Sequence, residues 1–387
     1  ARLRLAEGLS ADLRAAHTRS RLEQDGFAPP TFSFGDTDEY GESRETTGYL
    51  GLNADAFAGR LRSRLAYVGH RVERTTFDPG GFFPVTFDGV GETRRLEYQG
   101  ALAVRPGWTA VFGAEAEGSR FATEGFGSSL SADTGIDAAF VQLQAKAAPG
   151  LSLTAGLRRD EHETFGGRTL GQAAAAWSPD GGATVLRASF GQGFKAPTLF
   201  QLFSDFGNRA LRPETADTAD LGVERRLGGS ATVSATVFRR VTENQIDFVS
   251  CFGRPADPLC TGPAGPRFGY YDNLARTEAT GLEFAAALQV AGLALDANST
   301  WLEAENRTPG PNLGRALARR PEHAANVTLA YVWPGGLRAA AAARYVGDSF
   351  DDAANRNRLG AYTLVDLRVA YPLTTRVEAY ARVENLT

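Results

Sequence analysis

The stretch Arg376–Glu384, RVEAYARVE, carries the period that decides the fold. Val377, Ala379, Ala381 and Val383 alternate with Arg376, Glu378, Tyr380, Arg382 and Glu384. An extended strand sends successive side chains to opposite faces, so this stretch has one apolar face and one polar face. The same period recurs upstream. Leu282, Phe284, Ala286, Leu288 and Val290 share a face, and Val233, Ala235 and Val237 oppose Thr232, Ser234 and Thr236. Val141, Leu143, Ala145 and Ala147 stand against Gln142, Gln144 and Lys146. The chain reads as strand after strand.

The connections between these strands alternate in length. Short turns fall at 57–59, 104–107, 147–151, 178–183, 226–230, 290–292, 333–336 and 371–375. Between them lie Gly-, Pro- and Asp-rich loops at about 18–43, 74–91, 119–135, 163–168, 194–214, 245–269, 306–320 and 349–359. This alternation predicts 17 strands, the first at about 2–17 and the last at about 375–385, both running outward. A soluble sandwich would have shorter strands and no such asymmetry between its two ends. The expected fold class is therefore all-β, a transmembrane antiparallel β-barrel with short periplasmic turns and longer outer loops.

Composition agrees with this. Among 387 residues there are 44 Gly, 24 Phe and 11 Tyr, and the mean hydropathy is -0.25. No apolar run approaches the length of a spanning helix; Leu337–Ala343 is typical of the most apolar stretches. With 41 basic and 45 acidic residues and no basic run, nucleic acid is not an expected partner. His17, His70, His162 and His323 are scattered and Gly-x-Ser-x-Gly does not occur, so no catalytic constellation is expected. Cys251 and Cys260 bound the segment CFGRPADPLC, a spacing that suits a disulfide closing a small surface loop in an oxidising compartment. A metal site there would need two further ligands nearby. Met is absent, and the chain begins and ends in strand-like patterns, so a fragment is expected.

The most specific segment is Ser189–Arg225, SFGQGFKAPTLFQLFSDFGNRALRPETADTADLGVER. Gly193, Phe194, Lys195, Ala196 and Pro197, then Asn208, then Leu211, Pro213 and Glu214 resemble the mid-barrel signature of TonB-dependent receptors. Pro197 and the residue before it should end an outward strand, and Leu211–Glu214 should open the inward one. Tyr271–Glu283 resembles the family segment in which an Asn precedes a strand. Ala318–Val332 resembles its strand opened by an Arg pair, here Arg319 and Arg320. Tyr362–Thr387 resembles its penultimate hairpin ending in Asn385-Leu386. Within the family, FGQGFKAPTLFQLF, LARRPEH and LVDLRVAYPLTT are most similar to the vitamin B12 (cobalamin) receptor subgroup.

That resemblance implies a 22-stranded outer-membrane barrel in a Gram-negative bacterium, of which residues 1–387 would be a part. The plug, four early strands and the final strand would lie outside this sequence. It implies binding of cobalamin, or of a siderophore or haem in a sibling receptor, at the outer loops. Import would draw on the TonB-ExbB-ExbD complex acting through the plug's TonB box. A passive porin is the alternative from another class.

The resemblance also implies calcium at outer-loop acids, here Asp25, Asp36 and Asp38 with Glu39, against a merely solvated acidic loop. It places a ligand-contacting Arg at Arg319, which could equally be a rim charge paired with a carboxylate. Where the subgroup has a Tyr in the next outer loop, this chain carries Ala353–Ala354. Phe82, Phe83 and Phe87, in FDPGGFFPVTFDG, could cover ligand, join the membrane girdle or pack on lipopolysaccharide. Arg60, Arg62, Arg64, Glu115 and Glu117 are expected in the lumen.

Overall fold

The computed structural model describes the chain except residues 29–32, 82, 126–127, 253–255 and 263–264. Among the described residues eighteen strands form one antiparallel sheet. The first six are β1 (Arg2–Ala6), β2 (Leu9–Glu23), β3 (Tyr40–Ala56), β4 (Leu61–Phe77), β5 (Val85–Arg105) and β6 (Trp108–Gly125). Then follow β7 (Ser128–Ala148), β8 (Leu151–His162), β9 (Gly166–Trp177), β10 (Thr184–Lys195), β11 (Glu214–Leu227) and β12 (Ala231–Ser250). The last six are β13 (Gly269–Val290), β14 (Leu293–Asn306), β15 (His323–Val332), β16 (Arg338–Val346), β17 (Tyr362–Pro372) and β18 (Glu378–Val383). Each strand pairs with its neighbours in sequence, and among the described residues no ladder joins β18 to β1. Among the described residues no helix is long and apolar enough to cross a membrane.

The expected count of 17 is corrected to eighteen. The chain reverses at Glu7-Gly8, where Gly8 takes φ +71°, so the stretch expected as one strand is the hairpin of β1 and β2. The outer loops are also shorter than the sequence suggested. Most of 119–135 is strand, paired from Asp88↔Glu124 on one side to Gly125↔Ser128 on the other. Beyond the lipid both faces of a strand meet water, so the apolar alternation fades while the backbone ladder continues. Likewise Asn273 sits inside β13 rather than before a strand.

Lipid is the solvent that sorts the faces. Leu50, Leu52, Leu65, Tyr67, Leu96, Val141, Leu157, Phe190, Leu221, Val237, Phe284 and Val369 are all exposed, and register places them on one side of the sheet. The opposite side is polar and ion-paired. Arg64 meets Glu97 at 2.9 Å, Arg158 bridges Glu115 at 2.9 Å and Asp160 at 2.8 Å, and Arg95 lies 3.7 Å from Glu117. Arg62 shares that face, whereas Arg60 lies in a turn and donates to the carbonyl of Ala103. Antiparallel pairing satisfies the backbone groups that hydrocarbon cannot.

The turn end is shaped by glycine. Gly150 takes φ +72°, and a Cβ there would lie 2.1 Å from the carbonyl oxygen of Ser178. Neither the conformation nor the space admits another residue.

Candidate functional site

The family-like segment between β10 and β11 folds across the outer mouth. Lys195 and Glu214, which face each other at its two ends, are bonded Nζ to Oε1 at 3.1 Å. After Pro197 the chain starts a short helix, α1 (Leu199–Phe203), that the sequence did not announce. A capping box begins it: the Gln201 amide donates to Thr198 Oγ1 at 3.1 Å and the Thr198 amide to Gln201 Oε1 at 3.0 Å. Gly207 then turns the chain beneath the helix, where a Cβ would meet Leu202 backbone atoms at 2.6–2.7 Å.

Aromatic contacts hold this roof in place. Phe200 packs edge-on against Phe87 of β5 (6.3 Å between centroids), Phe121 of β6 (5.9 Å) and Tyr271 of β13 (6.1 Å). Phe248 continues the cluster to Tyr271 at 5.5 Å and to Phe206 at 5.8 Å. Leu202, Leu211 and Ile246 form a buried nucleus beneath, with Phe165 and Phe203 against it. Because strands from distant parts of the sheet converge on Phe200, the polar face of the sheet is the lumen. Phe87 thus belongs to the mouth interior and not to a membrane girdle. Phe83 is exposed, and Phe82 lies outside the described residues.

Polar locks complete the mouth. Asn273 Nδ2 donates to the carbonyls of Arg212 (3.0 Å) and Asn244 (2.6 Å), while its Oδ1 accepts the Arg212 amide at 2.8 Å. Asn208 is buried, and its Oδ1 accepts the amide of Ala210 at 3.0 Å. Cys251 and Cys260 form a disulfide, with Cα atoms 5.5 Å apart. Arg267 ties that loop to the roof, donating to the carbonyls of Gly207 (2.9 Å), Asp205 (3.2 Å) and Leu259 (2.5 Å). Its burial lowers the guanidinium pKa from the ordinary value.

Under the roof lies a cavity of about 480 Å³, lined by α1 and by inner residues of β4 to β8. His70 bonds Thr47 at 2.8 Å, Thr93 lies 3.3 Å from Ser119, and buried His162 sits 3.4 Å from Thr134. The Nδ1 of His162 accepts the amides of Thr164 and Phe165, so that nitrogen carries no proton. The cavity combines hydrogen-bonding groups, among them the carboxylate-bearing Glu117, with an aromatic roof. Such a lining suits a large ligand with amide or hydroxyl groups on an apolar frame.

A second clasp joins the loops 307–322 and 347–361. Arg319 takes φ +56°, its amide donates to the Phe350 carbonyl at 2.7 Å, and its Nε meets Asp351 Oδ1 at 2.7 Å. Its guanidinium is otherwise exposed and it precedes β15, which begins only at His323. Asn355 Oδ1 accepts the Ala316 amide and its Nδ2 donates to the Ala316 carbonyl, each at 2.9 Å. Amides of Asn357, Ala354 and Arg356 converge on Asp352 and hold its carboxyl below the usual range.

The residues of the expected calcium set lie beside a small hairpin. Asp25, Asp36 and Asp38 are all exposed, and this hairpin of Gly26–Ala28 with Ser33–Gly35, in which Gly26 faces Gly35, brings Asp25 and Asp36 to its base. The Glu39 carboxylate lies over Gly26, 2.4 Å from where a Cβ would be. Among the described residues no three His, Cys, Asp or Glu side chains gather to hold a metal.

Sequence reasoning missed Phe121, Phe200, Tyr271, Arg267, Asn273 and Asn355 as site-builders. Only the Thr198–Gln201 capping pattern was a local signal; the rest act over long sequence separations. At the other end of the motif set, the Asn385 amide donates to Asp366 Oδ1 at 2.9 Å and that of Leu386 to the Val365 carbonyl at 2.9 Å, extending the edge beyond β18.

Residues 5–386 match the family model described as TonB dependent receptor-like, beta-barrel. A vitamin B12 transporter of Photobacterium profundum is 29% identical over 237 residues, 59% of this chain and 36% of that protein. An iron-regulated outer membrane virulence protein of Vibrio cholerae is 27% identical over 266 residues, 64% of this chain and 40% of that protein. The ferric enterobactin receptor of Pseudomonas aeruginosa superposes with a TM-score of 0.80 at 18% identity, covering 100% of this chain and 62% of that one. The matched region is therefore well under half the length of these curated relatives. The chain belongs to the TonB-dependent receptor-like β-barrel family, and its place is the outer membrane of a Gram-negative bacterium.

Proposed function

We propose that the whole protein, of which this chain supplies barrel strands, binds cobalamin or a related corrinoid at its outer mouth and imports it to the periplasm. Energy comes from the TonB-ExbB-ExbD complex acting on a plug that fills the lumen. The observation that carries this reading is the roof over residues 196–213, pinned by Phe200 to Phe87, Phe121 and Tyr271. A braced segment across the mouth suits gated uptake of a captured ligand, and it counts against a passive porin. Cobalamin is named first because vitamin B12 transporters recur among the relatives at 28–29% identity.

A ferric siderophore or haem is the second reading, favoured by the iron-regulated relative at 27% identity. Arg319 is a candidate contact in either case, through the guanidinium nitrogens that Asp351 leaves exposed. Saturable binding of radiolabelled cobalamin by outer-membrane vesicles carrying the full-length protein is the expected result. Absence of saturable cobalamin binding, with a ferric chelate bound instead, would transfer the site to the second reading.

A further inference from the structure

On the lipid-facing side of β2 and β3, Arg19 and Arg44 stand directly opposite each other in the ladder. Like charges in that position destabilise a sheet. Neither is relieved by a carboxylate. Arg19 Nε donates to His17 Nε2 at 3.1 Å, and His17 Nδ1 is bonded to Thr46 Oγ1 at 2.9 Å. The ladder neighbour of Arg44 on its other side is Glu73, but that carboxylate bonds Arg71 at 2.9 Å. Glu92 is likewise engaged by Arg71 and lies 3.5 Å from Arg94. Arg21, next on the same face, lies opposite Glu42 yet sets its guanidinium 3.8 Å above the Tyr40 ring, which stacks on Phe77 at 4.6 Å. Among the described residues, Arg19, Arg21 and Arg44 make no ion pair.

Their height is informative. From Leu9 at the turn, β2 climbs about 25 Å along the barrel axis to reach Arg19, taking the usual rise and tilt. That is about the height of the apolar band of such barrels. Below the three arginines on the same face are exposed Leu13, Leu50, Leu52 and Leu65. Cations at the headgroup level above an apolar wall match an amphiphile with phosphate above and acyl chains below. Guanidinium forks bind phosphate with paired hydrogen bonds, and two of them sharing one phosphate would turn repulsion into attraction.

We propose that Arg19, Arg21 and Arg44 form a binding site for a phosphorylated glycolipid of the outer leaflet, with its acyl chains on the leucines of β2, β3 and β4. The site depends on the membrane placement of the barrel and not on which ligand is imported. Lipid A is the probe. The full-length receptor, purified in zwitterionic detergent, should retain lipid A by native mass spectrometry. R19A/R44A should bind it about tenfold more weakly, as loss of charge-assisted phosphate contacts implies. Arg159→Ala, on the same face but paired with Glu161 at 2.9 Å, should leave binding unchanged. In lipid-free detergent Arg44→Gln should unfold at a temperature no lower than the parent, because it relieves the repulsion; with lipid A added, the parent should gain more. Cobalamin binding should be the same in all variants, so failure here is separable from failure of the transport reading. Three results would overturn the proposal: equal lipid A binding by the parent and R19A/R44A, equal binding of dephosphorylated lipid A, or full displacement of lipid A by inorganic phosphate.

Discussion

The two ends of this barrel are built by different means. At the turn end, reversals are local: Gly8, Gly107, Gly150 and the Ala291-Gly292 pair adopt positive φ, and strands continue at once on either side. At the mouth, order comes from contacts between segments far apart in sequence. Asn273 fixes Arg212, Asn355 fixes Ala316, Arg267 fixes Gly207, and Phe200 gathers three strands. The turn end is specified by backbone geometry and the mouth by side-chain bonds. A mouth assembled this way can be released piece by piece while the barrel persists, as gated uptake requires.

The largest expected effects separate these ends. Gly150→Ala should destabilise the barrel itself by about 3 kcal/mol, from a strained backbone and a clash with Ser178. Urea titration of the folded barrel in lipid vesicles would reveal it. Leu211→Ala, at a residue 3% exposed under the roof, should cost about 2–4 kcal/mol of local stability. Its signature would be protease cleavage within 196–213 while heat-resistant gel mobility of the barrel is kept. If Leu211→Ala unfolds the strands as well, the two ends are not independent.

Smaller effects sharpen the contrast. Asn273→Ala leaves carbonyls of Arg212 and Asn244 without their donor, and about 1–3 kcal/mol of roof stability should be lost. Hydrogen exchange at 211–214 should rise, with turn-end amides unchanged. Asp351→Asn removes an exposed ion pair and should cost about 0–1 kcal/mol, visible only as faster exchange in 347–361. Acid should act on the same loop. Asp352 titrates below the usual carboxylate range, so its contribution is present above the ordinary pKa and fades as pH falls through the depressed one. Its amide NMR signals should hold through mildly acidic pH and broaden only below that range.

The same contrast explains what could be read in advance. Alternation such as that of Val377 to Val383, and the connection lengths, disclosed the all-β barrel because those signals are local. Lys195, Pro197 and Glu214 marked the ends of β10 and β11 correctly, since proline acts on its own backbone and its neighbour. The Gly8 reversal was missed because a hairpin this short resembles an uninterrupted strand. The loops were overestimated where Gly, Ser and Asp occupy strands with water on both faces. Residue type suited calcium, and the hairpin brings Asp25 and Asp36 to its base, but among the described residues no three such side chains gather. Phe121, Phe200 and Tyr271 could not be paired from sequence, since nothing local marks contacts between β6, α1 and β13.

The central claim, gated and energised import through this mouth, is tested most directly by accumulation of radiolabelled cobalamin in cells expressing the full-length receptor, with TonB present or deleted. The account predicts that surface binding persists in both strains while accumulation collapses without TonB. Equal accumulation in the two strains would show a passive pore and contradict it.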